Sequence, residues 1–181
     1  MQTFICSNHI NLNMTSDFLK VLSDIERKSM KSSKEIAYYI YDNGNILFST
    51  NGSKKDVRPN KSQLKKLKEV GDDIMITHNH PKPYDSPLTK EDLKFAIYNN
   101  TNGVRAVTND YTYVALQPTE HSWRCSYQQF NDLYDKTLED VKKSLNKKYK
   151  THNRFYYEKL WHETMARVCK KLGIKYFKIS N

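Results

Sequence analysis

Residues 73–93 read DIMITHNHPKPYDSPLTKEDL, and the way this stretch divides decides how the rest of the chain is arranged. Asp73-Ile74-Met75-Ile76-Thr77 has the pattern of a short buried strand that runs straight into His78. Pro81 ends that strand, because a proline has no N–H to give to a sheet ladder. After a proline-rich turn comes Thr89-Lys90-Glu91-Asp92, with a hydroxyl at the N-cap and acids in the first turn. Both features suit the start of a helix through Leu93, Phe95, Ala96 and Ile97. Side chains at i and i+2 of a strand point to one side, so His78 and His80 converge. The turn returns the chain to a helix whose first turn carries Asp92 close to the two imidazoles. Two imidazoles and a carboxylate are ligands of the kind that hold a catalytic zinc and leave one position for water.

Outward from this stretch the pattern is α/β. Thr15-Ser16-Asp17 offers capping groups before Phe18, Leu19, Val21, Leu22 and Ile25, which are spaced for an amphipathic helix. Glu35–Tyr41 and Ile46–Thr50 are β-prone runs on either side of Asn43-Gly44, a hairpin turn signal. Pro59 and Asn60 open a helix with Leu64, Leu67 and Val70 inward and Gly71 as its stop. Gly103–Val107 and Tyr111–Leu116 read as two more strands. From Cys125 the character changes to long helices. One carries Tyr127, Phe130, Leu133, Tyr134, Leu138, Val141 and Leu145. Another runs over Phe155–Leu172 with Trp161, Met165 and Val168 inward and Gly173 as its stop. Ile174–Ile179 is a candidate closing strand. The expected division is a metal-binding domain with an N-terminal helix over 1–120, then a basic, aromatic-rich, mostly helical extension over 121–181.

The chain has 181 residues, 38% of them hydrophobic, enough for one domain core. No apolar run approaches the roughly 20 residues that cross a bilayer. The first residues lack the basic head and apolar core of a signal peptide, so a cytoplasmic protein with no membrane partner is expected. Cys6, Cys125 and Cys169 form no CxxC pair and read as small buried or half-buried thiols. The net charge of +10 makes nucleic acid a candidate partner. The lysines are interleaved with acids, however, and solvated helix faces explain them equally well. His162-Glu163 lacks the histidine at position 166 that a second zinc helix needs, since Ala166 stands there. His9, His121 and His152 read as surface residues, and the tyrosines between 127 and 157 as helix packing. A zinc deaminase is excluded, because its H-x-E and P-C-x-x-C motifs are absent.

His78-Asn79-His80-Pro81, a turn, then Thr89-Lys90-Glu91-Asp92 resembles the JAMM/MPN metalloprotease motif, H-x-H-P followed by S-x-x-D. RadC-like and phage-associated JAB-like proteins share that motif. The resemblance covers roughly residues 34–116. It implies a JAB/MPN-like mixed sheet flanked by helices, with cytidine-deaminase-like layering. His78, His80 and Asp92 would hold zinc, and Glu35, at the start of the first strand, would be the general base. Glu26 is the poorer choice because it falls within the preceding helix pattern. Thr89 takes the place of the family serine and its hydroxyl would stabilise an oxyanion. Ser86 is a second hydroxyl in a loop slightly longer than the family's. The implied activity is hydrolysis of a peptide or isopeptide bond, with a protein substrate that in relatives is ubiquitin-like. The alternative is a JAB-like module of a phage or mobile element that binds nucleic acid or a protein and has no peptidase activity. The resemblance fixes neither substrate nor oligomeric state.

Overall fold

The computed structural model describes residues 16–53, 56–83, 86–118 and 122–181. In it, helix α1 (Ser16–Ser29) precedes a hairpin of β1 (Ile36–Tyr41) and β2 (Ile46–Asn51). Helix α2 (Lys61–Val70) and strand β3 (Ile74–Asn79) follow, then α3 (Lys90–Tyr98), β4 (Gly103–Val107) and β5 (Tyr111–Leu116). Helices α4 (Tyr127–Asn146) and α5 (Arg154–Leu172) lead into β6 (Lys175–Ser180). The six strands form one mixed sheet in the order β2-β1-β3-β4-β5-β6. Only β3 and β4 pair in parallel, and α3 makes the crossover between them. Among the described residues no helix is long and apolar enough to cross a membrane.

The local chemistry follows the sequence closely. Gly44 takes φ 87° in the β1–β2 turn, a conformation that costs glycine little. Asn60 caps α2 in a reciprocal box with Gln63, and Thr89 does the same for α3 with Asp92. Gly173 closes α5 in the left-handed region at φ 69°. Gly71 ends α2 for a different reason than a stop signal. Its φ is −54°, but an added Cβ would lie 2.1 Å from the Asn99 carbonyl oxygen, so a close backbone approach requires glycine. The capping expected from Thr15, along with Cys6, His9 and His121, lies outside the described residues.

Helices lie on both faces of the sheet. Phe18, Leu22 and Ile25 of α1 pack on Ile40, Met75, Val114 and Leu116. The other face, with Ala37, Tyr39, Ile76 and Val104, is covered by Leu67 of α2, Leu93, Ala96 and Ile97 of α3, and residues of α4 and α5. The C-terminal segment is therefore tied to the rest in two ways. Phe130, Tyr134, Met165 and Val168 share the larger core, and β6 pairs along the whole of β5. Lys90 at the start of α3 also reaches Asp135 of α4 at 2.7 Å.

Two packing expectations change. Trp161 is 42% exposed instead of inward, because the buried stripe of α5 runs through Tyr156, Leu160, Thr164, Met165 and Val168. The tyrosines divide: Tyr134 and Tyr156 are core, whereas Tyr127 and Tyr157 are exposed. Cys169 is buried and Cys125 half-buried, as expected, and both are free thiols.

Candidate metal centre

All six residues of β3 are buried, and the strand alternates its duties. Ile76 and His78 face α3, while Met75 and Thr77 face α1. His78 pairs with Ala37 of β1 on one side and Ala106 of β4 on the other, neighbours small enough to leave room for an imidazole. His80 lies just past the strand, its amide held by the Val107 carbonyl at 2.8 Å.

The two imidazoles meet with Nε2 atoms 2.9 Å apart. Asp92 Oδ1 is 3.3 Å from His78 Nε2, and Oδ2 is 3.7 Å from His80 Nε2. All three ligand atoms lie within 4.8 Å of one another. An ion with bonds of about 2.0–2.1 Å at tetrahedral angles separates its donor atoms by about 3.3 Å. The observed separations lie on both sides of that value, so the three side chains could hold one small cation.

The surroundings orient these candidate ligands as well as place them. His80 Nδ1 donates to the Ser86 carbonyl at 2.7 Å. A carbonyl can only accept, so Nδ1 carries the proton and Nε2 keeps its lone pair toward the centre. Asp92 Oδ2 accepts from the Thr89 amide and from Thr89 Oγ1, both at 2.7 Å, while the Asp92 amide donates to Thr89 Oγ1 at 3.2 Å. The capping box of α3 is thus also the mount of the third candidate ligand. Ser86 contributes through its main-chain oxygen, which the spacing of hydroxyls does not reveal.

The electrostatics are those of a tightly packed ionisable cluster. Burial disfavours the charged form of Asp92, but His78, His80 and Thr89 outweigh it and hold the carboxyl well below the usual carboxylate range. Burial likewise opposes a charge on His78, yet Asp92, Glu35 and the Arg105 backbone raise its pKa above the ordinary value.

Glu35 precedes β1 by one residue and is 7% exposed. It stands two residues before Ala37, the partner of His78, and therefore on the same face of the sheet. Burial pushes its carboxyl up to about 7; His78 lowers it, while Asp92 and Asp56 raise it further. Asn79, between the two histidines, holds the chain on both sides of Glu35. Its side-chain oxygen accepts from the Ile36 amide at 2.7 Å, and its amide group donates to the Lys34 carbonyl at 3.1 Å. Asn79 has no exposed surface. A strand reading treats it merely as the spacer between i and i+2, and the sequence carries no signal of this clamp.

Glu26 is placed elsewhere. It takes Arg105 Nε at 2.6 Å, Arg105 Nη2 at 3.0 Å and the Thr77 hydroxyl at 2.9 Å, on the α1 side of the sheet. His162 pairs with the Tyr176 hydroxyl at 3.1 Å and belongs to the α5–β6 packing. Among the described residues, His78, His80 and Asp92 are the one group of three such side chains placed to hold a metal ion. No family model matches the chain, and no curated protein or solved structure matches it either.

Proposed function

We propose that the chain is a zinc-dependent hydrolase of the JAMM kind, which cleaves a peptide or isopeptide bond. The observation that supports this most is the buried His78-His80-Asp92 cluster with its donor atoms turned inward and Glu35 on the same face of the sheet. The strand, turn and helix that carry these residues lie within a helix-flanked mixed sheet, which supports a JAB/MPN-like reading of the fold.

A bound zinc would supply Lewis acidity that polarises a carbonyl and activates water. The chain supplies the rest. His78, His80 and Asp92 would be the ligands, and the Ser86 carbonyl and Thr89 fix their orientation. Glu35, near 7, can accept a proton and return it to a leaving amine at neutral pH. Thr89 uses its hydroxyl proton on Asp92, so in this arrangement it orients the ligand. An oxyanion contact requires that proton to turn toward substrate.

The net charge of +10 favours the rival reading, a module that binds nucleic acid without hydrolysis. Metal analysis of purified protein separates the two. The hydrolase reading expects one zinc per chain in the wild type, none in His80→Ala, and full zinc but no peptide cleavage in Glu35→Ala. A wild type without stoichiometric zinc overturns it. Salt-sensitive DNA binding that chelators leave untouched supports the module instead.

A further inference from the structure

A groove of about 820 Å³ runs from His78 and Asp92 between α2 and α3. Its floor is apolar, built from Val57, Leu64, Ile76, Phe95 and Val104. Its α2 wall is cationic. Lys61, Lys65 and Lys68 stand four and then three residues apart, so they share one helix face, and all three are exposed along the groove. Among the described residues none of the three makes an ion pair; Lys68 instead lies 5.2 Å from the ring centre of Tyr98. Like charges at this spacing repel and weaken a helix, so the stripe is not explained by the stability of α2. The other cations of the lining are already engaged, Arg58 with Asp56 at 3.0 Å and Lys94 with Glu91 at 3.5 Å. Tyr98 and Tyr127, stacked edge to face with centroids 6.1 Å apart, line the groove and are 61% and 44% exposed.

We infer that this groove selects an extended peptide with an apolar side chain near the scissile bond and acidic residues along Lys61, Lys65 and Lys68. The inference rests on the hydrolase reading for the position of the scissile bond, and on the groove alone for the chemistry of the peptide. An apolar floor desolvates an aliphatic or aromatic side chain favourably. Three ammonium groups in a row without carboxylate partners then favour carboxylates over neutral or basic residues, and more strongly at low salt. A nucleic acid matches the lysines equally well, but its planar, polar-edged bases suit the mainly aliphatic floor of Val57, Leu64, Ile76 and Val104 less well than an aliphatic side chain does, so peptide is the occupant that uses both the floor and the α2 wall.

The test is binding, so that it does not depend on turnover. A fluorescein-labelled nonapeptide with one leucine followed by three glutamates is titrated by anisotropy against chelator-treated wild-type protein at 50 mM salt. The controls are the same peptide with glutamines for glutamates, the same peptide with serine for leucine, and an oligothymidylate of equal charge. The glutamate peptide is expected to bind about tenfold tighter than the glutamine peptide. The serine peptide is expected to bind several-fold weaker than its leucine parent. Lys61→Glu/Lys65→Glu/Lys68→Glu should abolish the preference for glutamate, whereas Lys142→Glu/Lys143→Glu on α4 should not. Equal affinity for glutamate and glutamine peptides overturns the inference, as does a preference that survives the α2 charge reversal. Tighter binding of the oligothymidylate overturns it in favour of a nucleic-acid surface. Absence of zinc from the native protein sinks the hydrolase reading but leaves these affinities unchanged, so the two failures are told apart.

Discussion

Replacing Glu35 by glutamine should stabilise the metal-free protein while removing its proposed activity. Glu35 is 7% exposed, and burial is the largest cause that lifts its carboxyl from the ordinary 4.5 to about 7. The native state therefore prefers the neutral acid. The sign follows from linkage: a raised native pKa contributes stability fully below the unfolded value, and that contribution is lost as pH rises through the native value. Between pH 4.5 and about 7, folding progressively loses the advantage of holding the proton. At about 1.4 kcal/mol per pH unit the full interval corresponds to about 3 kcal/mol, and water entry reduces it toward about 1–2 kcal/mol. Glutamine has nearly the same shape and cannot ionise. Glu35→Gln should therefore match the wild type near pH 5 and exceed it at pH 8. For a chain of this length the excess is about 2–8 °C in Tm. Thermal melts of chelator-treated proteins across pH 5–8 provide the measurement. Adding zinc should shrink the gap, because a cation beside the carboxylate favours its charged form. A variant no more stable than wild type at pH 8, or a gap that does not change with pH, refutes the account of Glu35 as a buried, proton-holding carboxyl.

Asn79→Ala removes both hydrogen bonds that fix the chain around Glu35, and should cost about 2–4 kcal/mol of stability. It should leave zinc stoichiometry intact and slow peptide cleavage on the order of 10–100-fold, as misplacement of a catalytic group does; a variant that cleaves at the wild-type rate counts against the clamp. Thr89→Ala should lower stability by about 1 kcal/mol through loss of the α3 cap. Loss of the Asp92 mount should weaken zinc affinity about tenfold, with Thr89→Ser restoring both in melts and metal titrations. Glu26→Ala leaves the half-buried Arg105 without its carboxylate and should cost about 2–3 kcal/mol, with the zinc content of the folded fraction unchanged. Zinc loss in the folded Glu26→Ala protein refutes its placement away from the centre.

Much of this architecture is legible because its signals are local. The Asn43-Gly44 turn, the caps at Asn60 and Thr89 and the stop at Gly173 each act within a few residues, and each marks an element boundary. The histidine pair is legible for the same reason, since a strand places i and i+2 together without help from the rest of the chain. What escaped reading depends on contacts distant in sequence. The Asn79 clamp spans more than forty residues, the Glu26–Arg105 pair almost eighty, and the Gly71–Asn99 approach nearly thirty. Trp161 is exposed although its spacing predicts an inward position, because helical periodicity leaves the width and phase of a buried stripe open by one position, and the partner faces that settle it belong to other elements. Glu35 was legible as a position but not as a titrating group, because its burial comes from folding around it.

Strand β3 has no idle position. From Ile74 to Asn79 every side chain is buried, and each supports the core, the candidate centre, the α1 bond network or the clamp on β1. The lysine stripe of α2, by contrast, sits on solvent-exposed positions, with Lys68 over the exposed Tyr98 ring as its one described ring contact. The proposed chemistry and the proposed selectivity therefore rest on stretches with opposite tolerance for change. On the proposed reading, the preferred peptide would drift in a diverging lineage through exposed substitutions in α2, one lysine at a time, while the strand of the candidate centre stayed constant.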